Sequence, residues 1–480
     1  MRSSNSSISR IFVLIGYSIP ILLLVWFIVL YGINIPYWEQ YCNLPLYKKI
    51  ALGNASIQDI WHYSLHQEHR VFLPQIFFTI PLAFWFHLNT KIEMFIMIFL
   101  AIITFAILCL LAFKQSNNDW RKINIANIVS GFLIFSIIQY ESWLQSIQTC
   151  LYLSNLCFIV CLFYLSYGQG KLKIRFAIAL LALVIAAFSF GSGLFFWIAA
   201  LPSLILFCNN LPNKIQKYYY LTWFGVYFLT IYVYFLGYRQ PPYHHNGIFV
   251  LSYPKVAVNY FFTYLGASLS TFGSSTRFLG IVSFLGFLTL VALILKQNNQ
   301  RIIKQSMVWI SLGTYVLISA LASAEGRAPL GGMDFARTSR YTTTTVLFIV
   351  SIIQLLILFY QAYPNKPSWM YYSICGLIFA FVVNNSLVSL APAIKFSQNM
   401  SQGKSCLESV TFNQDPVPEK CLELLYPNAD QLTVFAYDLN QMGIRKFKFG
   451  TQEPLQSFIA QRRKSFADKP TGVCGKNFSG

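Results

Sequence analysis

IFVLIGYSIPILLLVWFIVLY, Ile11 to Tyr31, runs without a charged residue for the length one helix needs to cross ~30 Å of hydrocarbon. Ser306 to Leu321 and Tyr341 to Tyr360 repeat the pattern, again without a charge. Of the 480 residues 56% are hydrophobic and 11% charged. An ordinary soluble domain carries roughly 25% charged residues, so a water-soluble fold has too little polar surface here to cover its apolar content. The sequence therefore specifies an all-α polytopic membrane protein. Aromatic residues make up 17% of the chain, with 29 Tyr and 10 Trp, and amphipathic rings settle at the headgroup level where helices leave the bilayer.

The formal charge of +19 does not point to nucleic acid, because the basic residues are dispersed in short clusters between apolar runs. Lys114/Arg121/Lys122, Lys171/Lys173/Arg175, Lys214/Lys217, Lys296/Arg301/Lys304 and Lys366 all fit a cytoplasmic placement. With these inside, the chain crosses about eleven times, N-terminus cytoplasmic and C-terminus extracytoplasmic. Val71 to Leu88 and Val256 to Phe272 then lie in or re-enter the outer half of the membrane; full crossings by both raise the count to about thirteen. The basic start MRSSNSSISR lacks a small-x-small cleavage site, so Ile11 to Tyr31 is read as a retained first helix.

Two regions follow. Residues 1–392 form the membrane domain, with a first outer loop at 32–70. Residues 393–480 form a small extracytoplasmic domain, since eight of the 16 acidic residues fall after Ala393. Of ten cysteines, Cys109, Cys157, Cys161, Cys208 and Cys375 sit in apolar runs as small hydrophobes. Cys406 and Cys421 lie in polar sequence and are a disulfide candidate if the tail faces an oxidising compartment.

Before the tail the acids are Glu39, Asp59, Glu68, Glu93, Asp119, Glu141, Glu325 and Asp334, so a general base comes from this set or from histidine. Glu39 follows the first span in PYWEQY, beside Tyr37, Trp38 and Tyr41, whose rings are suited to stacking on a sugar; the bland alternative is an interfacial aromatic anchor with a solvated acid. His62, His66 and His69 share a face if the segment is helical. They are then weak candidates to hold a divalent metal such as zinc, against a reading in which they hydrogen-bond locally. Arg327, Arg337 and Arg340 crowd AEGRAPLGGMDFARTSRYTT, and a helix start there would aim Arg337, Arg340 and Tyr341 together. Guanidinium groups grip phosphate oxygens in pairs; lipid headgroups or ion pairs with Glu325 or Asp334 are the competing partners. QYESWLQSIQ, Gln139 to Gln148, reads equally as structural or substrate-binding. FGSGLFFW, Phe190 to Trp197, permits close helix packing or backbone access to a ligand. There is no GxxxxGK phosphate loop.

The acid in PYWEQY, the polar HQEHR before the next apolar run, the Ser-Gly-Leu and Trp between Ser192 and Trp197, and GRAPLGG followed by SRYTT together resemble bacterial members of the GT-C superfamily of integral membrane glycosyltransferases. The resemblance covers most of the membrane portion. It implies a GT-C-like bundle of about 11–13 spans in the bacterial inner (plasma) membrane, using a polyprenyl-phosphate-linked sugar donor and a glycan or lipid-linked acceptor at the outer face. Carried onto this chain, it makes Glu39 the base, with Glu68 in reserve. Trp38, His69, Arg70, Arg327, Arg337, Arg340 and Tyr341 form the expected substrate-binding set. Many relatives have an Asp-rich first loop, whereas Glu39 stands alone. That departure weakens the case for a carboxylate-bound metal. A transporter or flippase of lipid-linked saccharides and a polysaccharide polymerase are the alternative functions.

Overall fold

The computed structural model describes residues 4–66, 69–115, 119–209, 211–238, 248–409 and 419–447. Helices account for about 82% of the described residues, and the strands among them are one two-residue hairpin, Leu65–His66 against His69–Arg70. Eight helices are long and apolar enough to cross a membrane, so the chain is an all-α polytopic membrane protein. Further helices at Leu172–Ala187, Gly193–Ala199, Leu201–Cys208, Asn213–Tyr234 and Pro254–Gly266 pack among them.

Burial sorts these helices into a centre and a rim. In Ser339–Ala362, 89% of the most apolar window is buried, against 22% for Ile11–Tyr31, Gly273–Lys296 and Ser368–Glu408. The first is therefore the axis of the bundle, and the others show apolar side chains such as Phe12, Trp26, Phe278 and Leu387 to the surroundings. Exposed apolar residues in such number suit hydrocarbon as the solvent.

Local sequence decides two contacts. Pro254–Gly266 lies against Gly273–Lys296 so closely that a Cβ at Gly280 would overlap the Phe262 carbonyl, and one at Gly266 the Thr276 carbonyl. Bare backbones let helices approach this way. Gln300–Ala336 contains Pro329 and bends at Gly332, where φ is 54° and ψ is −139°. Only glycine reaches that conformation without strain.

Two ends can be told apart. At one, the Tyr371 hydroxyl donates to the Lys122 carbonyl at 2.7 Å, Gln297 Nε2 donates to the Ala362 carbonyl at 3.0 Å, and Trp309 bonds Gln115. The turns carrying Lys114, Lys122, Lys296 and Lys366 thus gather there. The first loop, Gly191, Tyr234 and the Arg327 to Arg340 segment lie at the other.

Ser368–Glu408 is one helix that passes Ala393 without a break. Beyond it, Cys406 and Cys421 are disulfide-bonded with Cα atoms 6.2 Å apart. The helix Ala429–Gln441 packs with the first loop in a shared hydrophobic cluster containing Ile35, Tyr41, Tyr47, Tyr426 and Phe435. Buried Arg445 fastens that cap, donating to the Leu88 carbonyl at 2.8 Å, the Asn34 carbonyl at 2.6 Å and Asn34 Oδ1 at 3.1 Å.

Gly280→Ala should lower the thermal midpoint of the purified protein in detergent, while Gly286→Ala on the same helix, whose added Cβ meets open space, should leave it unchanged or raise it slightly. Equal midpoints for the two variants would contradict the close backbone packing.

Candidate functional site

The first loop is built from its backbone outward. After Tyr31 the chain docks on the start of Thr90–Lys114: Thr90 Oγ1 accepts from the Ile35 amide at 3.0 Å, and the Thr90 amide donates to Asn34 Oδ1 at 3.1 Å. Trp38 then adopts φ of 48°, a left-handed conformation uncommon outside glycine. Its amide donates to the Leu425 carbonyl of the tail at 3.0 Å. The 3-10 turn Trp38–Asn43 follows, turning Gln40 inward. Asp59 does not face a site. Hydrogen bonds from Lys49 and from Ser56 hold its carboxyl well below the usual carboxylate range, and Lys49 Nζ lies 2.6 Å away.

A cavity of about 460 Å³ opens beside this turn. Its polar lining residues include Glu39, His69, Gln148, Arg327, Arg340 and Tyr341. Its apolar lining residues include Leu151, Leu194, Phe195, Phe235 and Ala322. Glu39 and two of the three expected arginines therefore share one space. His69 is seated on Phe190, their ring centroids 4.1 Å apart.

The position of Arg340 follows from Glu141. Its Oε2 accepts the Arg340 amide at 3.1 Å, and its own amide donates to Ser339 Oγ at 3.1 Å. Ser339 Oγ donates in turn to the Ile138 carbonyl at 2.8 Å, and Thr343 Oγ1 to Ser142 Oγ at 2.8 Å. An acid at a helix N-terminus satisfies an amide that the helix leaves without a partner and meets its positive dipole end. The Arg340 guanidinium carbon then lies 5.5 Å from the Tyr341 ring centroid. Tyr37 belongs to the same neighbourhood: burial, reinforced by the Glu141 carboxylate, pushes its hydroxyl up to about 12.

Several expected site residues are placed elsewhere. Arg337 does not join Arg340, because one helix ends at Ala336 and the next starts only at Ser339, with Thr338 at ψ of 130° between them. It pairs with Asp334 and donates to the Thr271 carbonyl at 2.9 Å, lining a second cavity of about 520 Å³ with Tyr140 and Glu141. Arg70 is a structural residue: its guanidinium donates to the Trp61, Tyr234 and Leu236 carbonyls at 3.1, 2.9 and 2.7 Å and stacks on Trp61. Glu325 lines the main cavity, but its two oxygens accept the Phe249 and Val250 amides at 2.8 and 2.9 Å. Trp38 is 40% exposed and does not line the cavity. Glu68 lies outside the described residues.

The shared helical face of His62, His66 and His69 is not formed. The helix Ile57–Tyr63 ends before the second histidine, and His66 and His69 pair across the hairpin instead. Among the described residues no three His, Cys, Asp or Glu side chains gather as metal ligands. Glu39 and His69 alone do not make the donor set that a structural or catalytic zinc requires.

Gln148, from the QYESWLQSIQ run that the sequence offers as structural or substrate-binding, lines the cavity. Cys150 and Tyr264 line it too and carry no signal in the sequence beyond their apolar surroundings. No known protein family, curated protein or solved structure matches the chain.

Replacing Glu141 with Ala should destabilise the protein by about 1 kcal/mol, the typical value of a lost helix cap, read as a lower urea or thermal midpoint in detergent. An unchanged midpoint would show that the Ser339 helix start is held without this carboxylate.

Proposed function

We propose that the protein is a membrane glycosyltransferase that moves a sugar from a polyprenyl-phosphate donor to a hydroxyl of a glycan or lipid-linked acceptor at the outer face of the membrane. The observation that carries the reading is the shared cavity, which a first-loop carboxylate, Glu39, lines together with the guanidinium-bearing Arg327 and Arg340.

The chemistry needs those two parts. Glu39 takes the proton of the acceptor hydroxyl as its oxygen bonds to the anomeric carbon, a role worth about 10²- to 10⁴-fold in rate. The anomeric carbon–oxygen bond to the phosphate breaks, and the leaving polyprenyl phosphate keeps the electron pair. Arg327 and Arg340 stabilise the charge it gains, the type of preorganised electrostatics that contributes most in a site sheltered from water. The apolar wall supplies that shelter, and Tyr341 and His69 border the sugar. Arg337, committed to Asp334, has no role in the reaction.

In the topology that goes with this reading, the end carrying Lys114, Lys122, Lys296 and Lys366 is cytoplasmic. Eleven crossings follow when Leu172–Ala187, the broken pair Gly193–Ala199 and Leu201–Cys208, and Asn213–Tyr234 cross with the eight apolar spans. Phe72–Trp85 and Pro254–Gly266 remain in the outer half. The cavity and the disulfide-bonded cap then face outward, in the plasma membrane of a bacterium.

The test is transfer by purified protein in detergent from a radiolabelled hexosyl polyprenyl phosphate, a condition under which a flippase produces nothing. Glu39→Gln should reduce transfer at least 100-fold with an unchanged thermal midpoint. Arg327→Ala and Arg340→Ala should each lower kcat/KM by about 10²-fold or more, and Arg337→Ala by only a few-fold. Full activity of Glu39→Gln removes this carboxylate as the base.

A further inference from the structure

Glu93 has no place in the chemistry above, yet it is a carboxylate only 5% exposed at the start of Thr90–Lys114. No ion pair involving it is recorded among the described residues. Burying a carboxylate away from cations is unfavourable unless hydrogen-bond donors converge on it. One donor is the side chain of Gln40, the residue next to Glu39: Gln40 Nε2 lies 3.0 Å from Glu93 Oε2 and also bonds Ser146 Oγ. The other end of the same amide is used as well, since Gln40 Oε1 accepts the Tyr37 amide at 3.0 Å. Gln40 is 7% exposed and Ser146 1%, so water does not compete for these bonds.

The sequence neighbours of the three residues give this arrangement its consequence. Glu39 adjoins Gln40, and Ile147 and Gln148 follow Ser146; all three line the main cavity. Gln40 and Glu93 line a separate water-sized space whose walls include Ile147 and Cys150, which also belong to the main cavity. One amide therefore ties together, from behind, two walls of the cavity that arrive from different helices. The tie acts on Glu39 through a single intervening backbone unit, and a 1 Å misplacement of a reacting group is enough to slow chemistry about 10²-fold.

We propose that Gln40, gripped by Glu93 and Ser146, is the positioning residue of this site, fixing the Glu39 carboxylate against the wall formed by Ile147 and Gln148. The proposal rests on the reading of Glu39 as the base. Glu93 acts here as a hydrogen-bond acceptor and touches no substrate.

Gln40→Leu removes the grip at similar size, Glu93→Leu removes its acceptor, and Glu93→Gln keeps an oxygen for the Gln40 amide. Two measurements apply to each full-length variant in detergent: hydrogen–deuterium exchange, and kcat and KM with labelled hexosyl polyprenyl phosphate. Gln40→Leu and Glu93→Leu should speed exchange at least tenfold in peptides spanning 36–44 and 145–151 and leave the rest of the bundle unchanged. Their kcat should fall at least tenfold with donor KM within about twofold, because Arg327 and Arg340 are not displaced. Glu93→Gln should restore most of both. Unchanged exchange in the two peptides, exchange raised throughout the bundle, or a raised KM at constant kcat each overturns the proposal. Should the wild-type protein transfer no sugar from this donor, the transferase reading fails by itself, and exchange in the two peptides still decides whether Gln40 holds the walls together.

Discussion

A carboxylate set against the first turn of the most buried helix fixes where Arg340 meets the cavity. Glu141 reaches the Arg340 amide, its own amide reaches Ser339, and Ser142 and Thr343 close the contact from both sides. A bundle of apolar helices offers few directional interactions, since packing alone tolerates rotation and sliding. Hydrogen bonds among buried polar groups do not, because breaking one leaves an unsatisfied group in a medium that cannot replace it. The SWL and SRYTT segments are thereby locked in register. Arg340 and Tyr341, one and two positions further along, inherit their placement at the cavity.

The same logic extends to the loops at this end. Gln40, Glu93 and Ser146 form one polar node, Asn34 and Thr90 another, and Arg445 closes the second from the tail. The tail residues also supply the Leu425 carbonyl to Trp38 at its left-handed turn, and stack Phe435 on Tyr41. A non-glycine residue at positive φ persists only where its surroundings hold it. Hence the cap past Glu408 is part of the scaffold of the loop that carries Glu39.

Legibility in the sequence divides along physical lines. Helices and membrane residence follow from local composition, so Ile11 to Tyr31 or Tyr341 to Tyr360 announce themselves. Scarcity makes the site partly readable: with eight acids before the tail, Glu39 stands out, and it lines one cavity with Arg327 and Arg340. What failed required knowledge of where helices end. By spacing Arg337 shares a helical face with Arg340, but the helix break at Arg337 and Thr338 parts them. His62 and His69 were separated by a hairpin. Arg70 carried an unmistakable charge but gave no hint that three carbonyls of distant segments would absorb it, because tertiary partners leave no mark on spacing.

The mixed lining of the cavity bears on what the proposed transfer would require. A carboxylate and two guanidinium groups in open water attract one another weakly and are screened within about 10 Å. In a cavity also lined by Leu151, Leu194, Phe195 and Phe235, the same charges act through a medium that polarises less, so their fields on a departing phosphate are stronger. That gain carries a condition. Charges strong enough to stabilise a leaving group also attract each other, and Glu39 closing directly onto Arg340 would quench both. The Arg340 amide is held by Glu141, and the residue beside Glu39 by Glu93 and Ser146. Buried acids that take no part in the proposed reaction thus limit how far the main chain carrying the participating charges can shift.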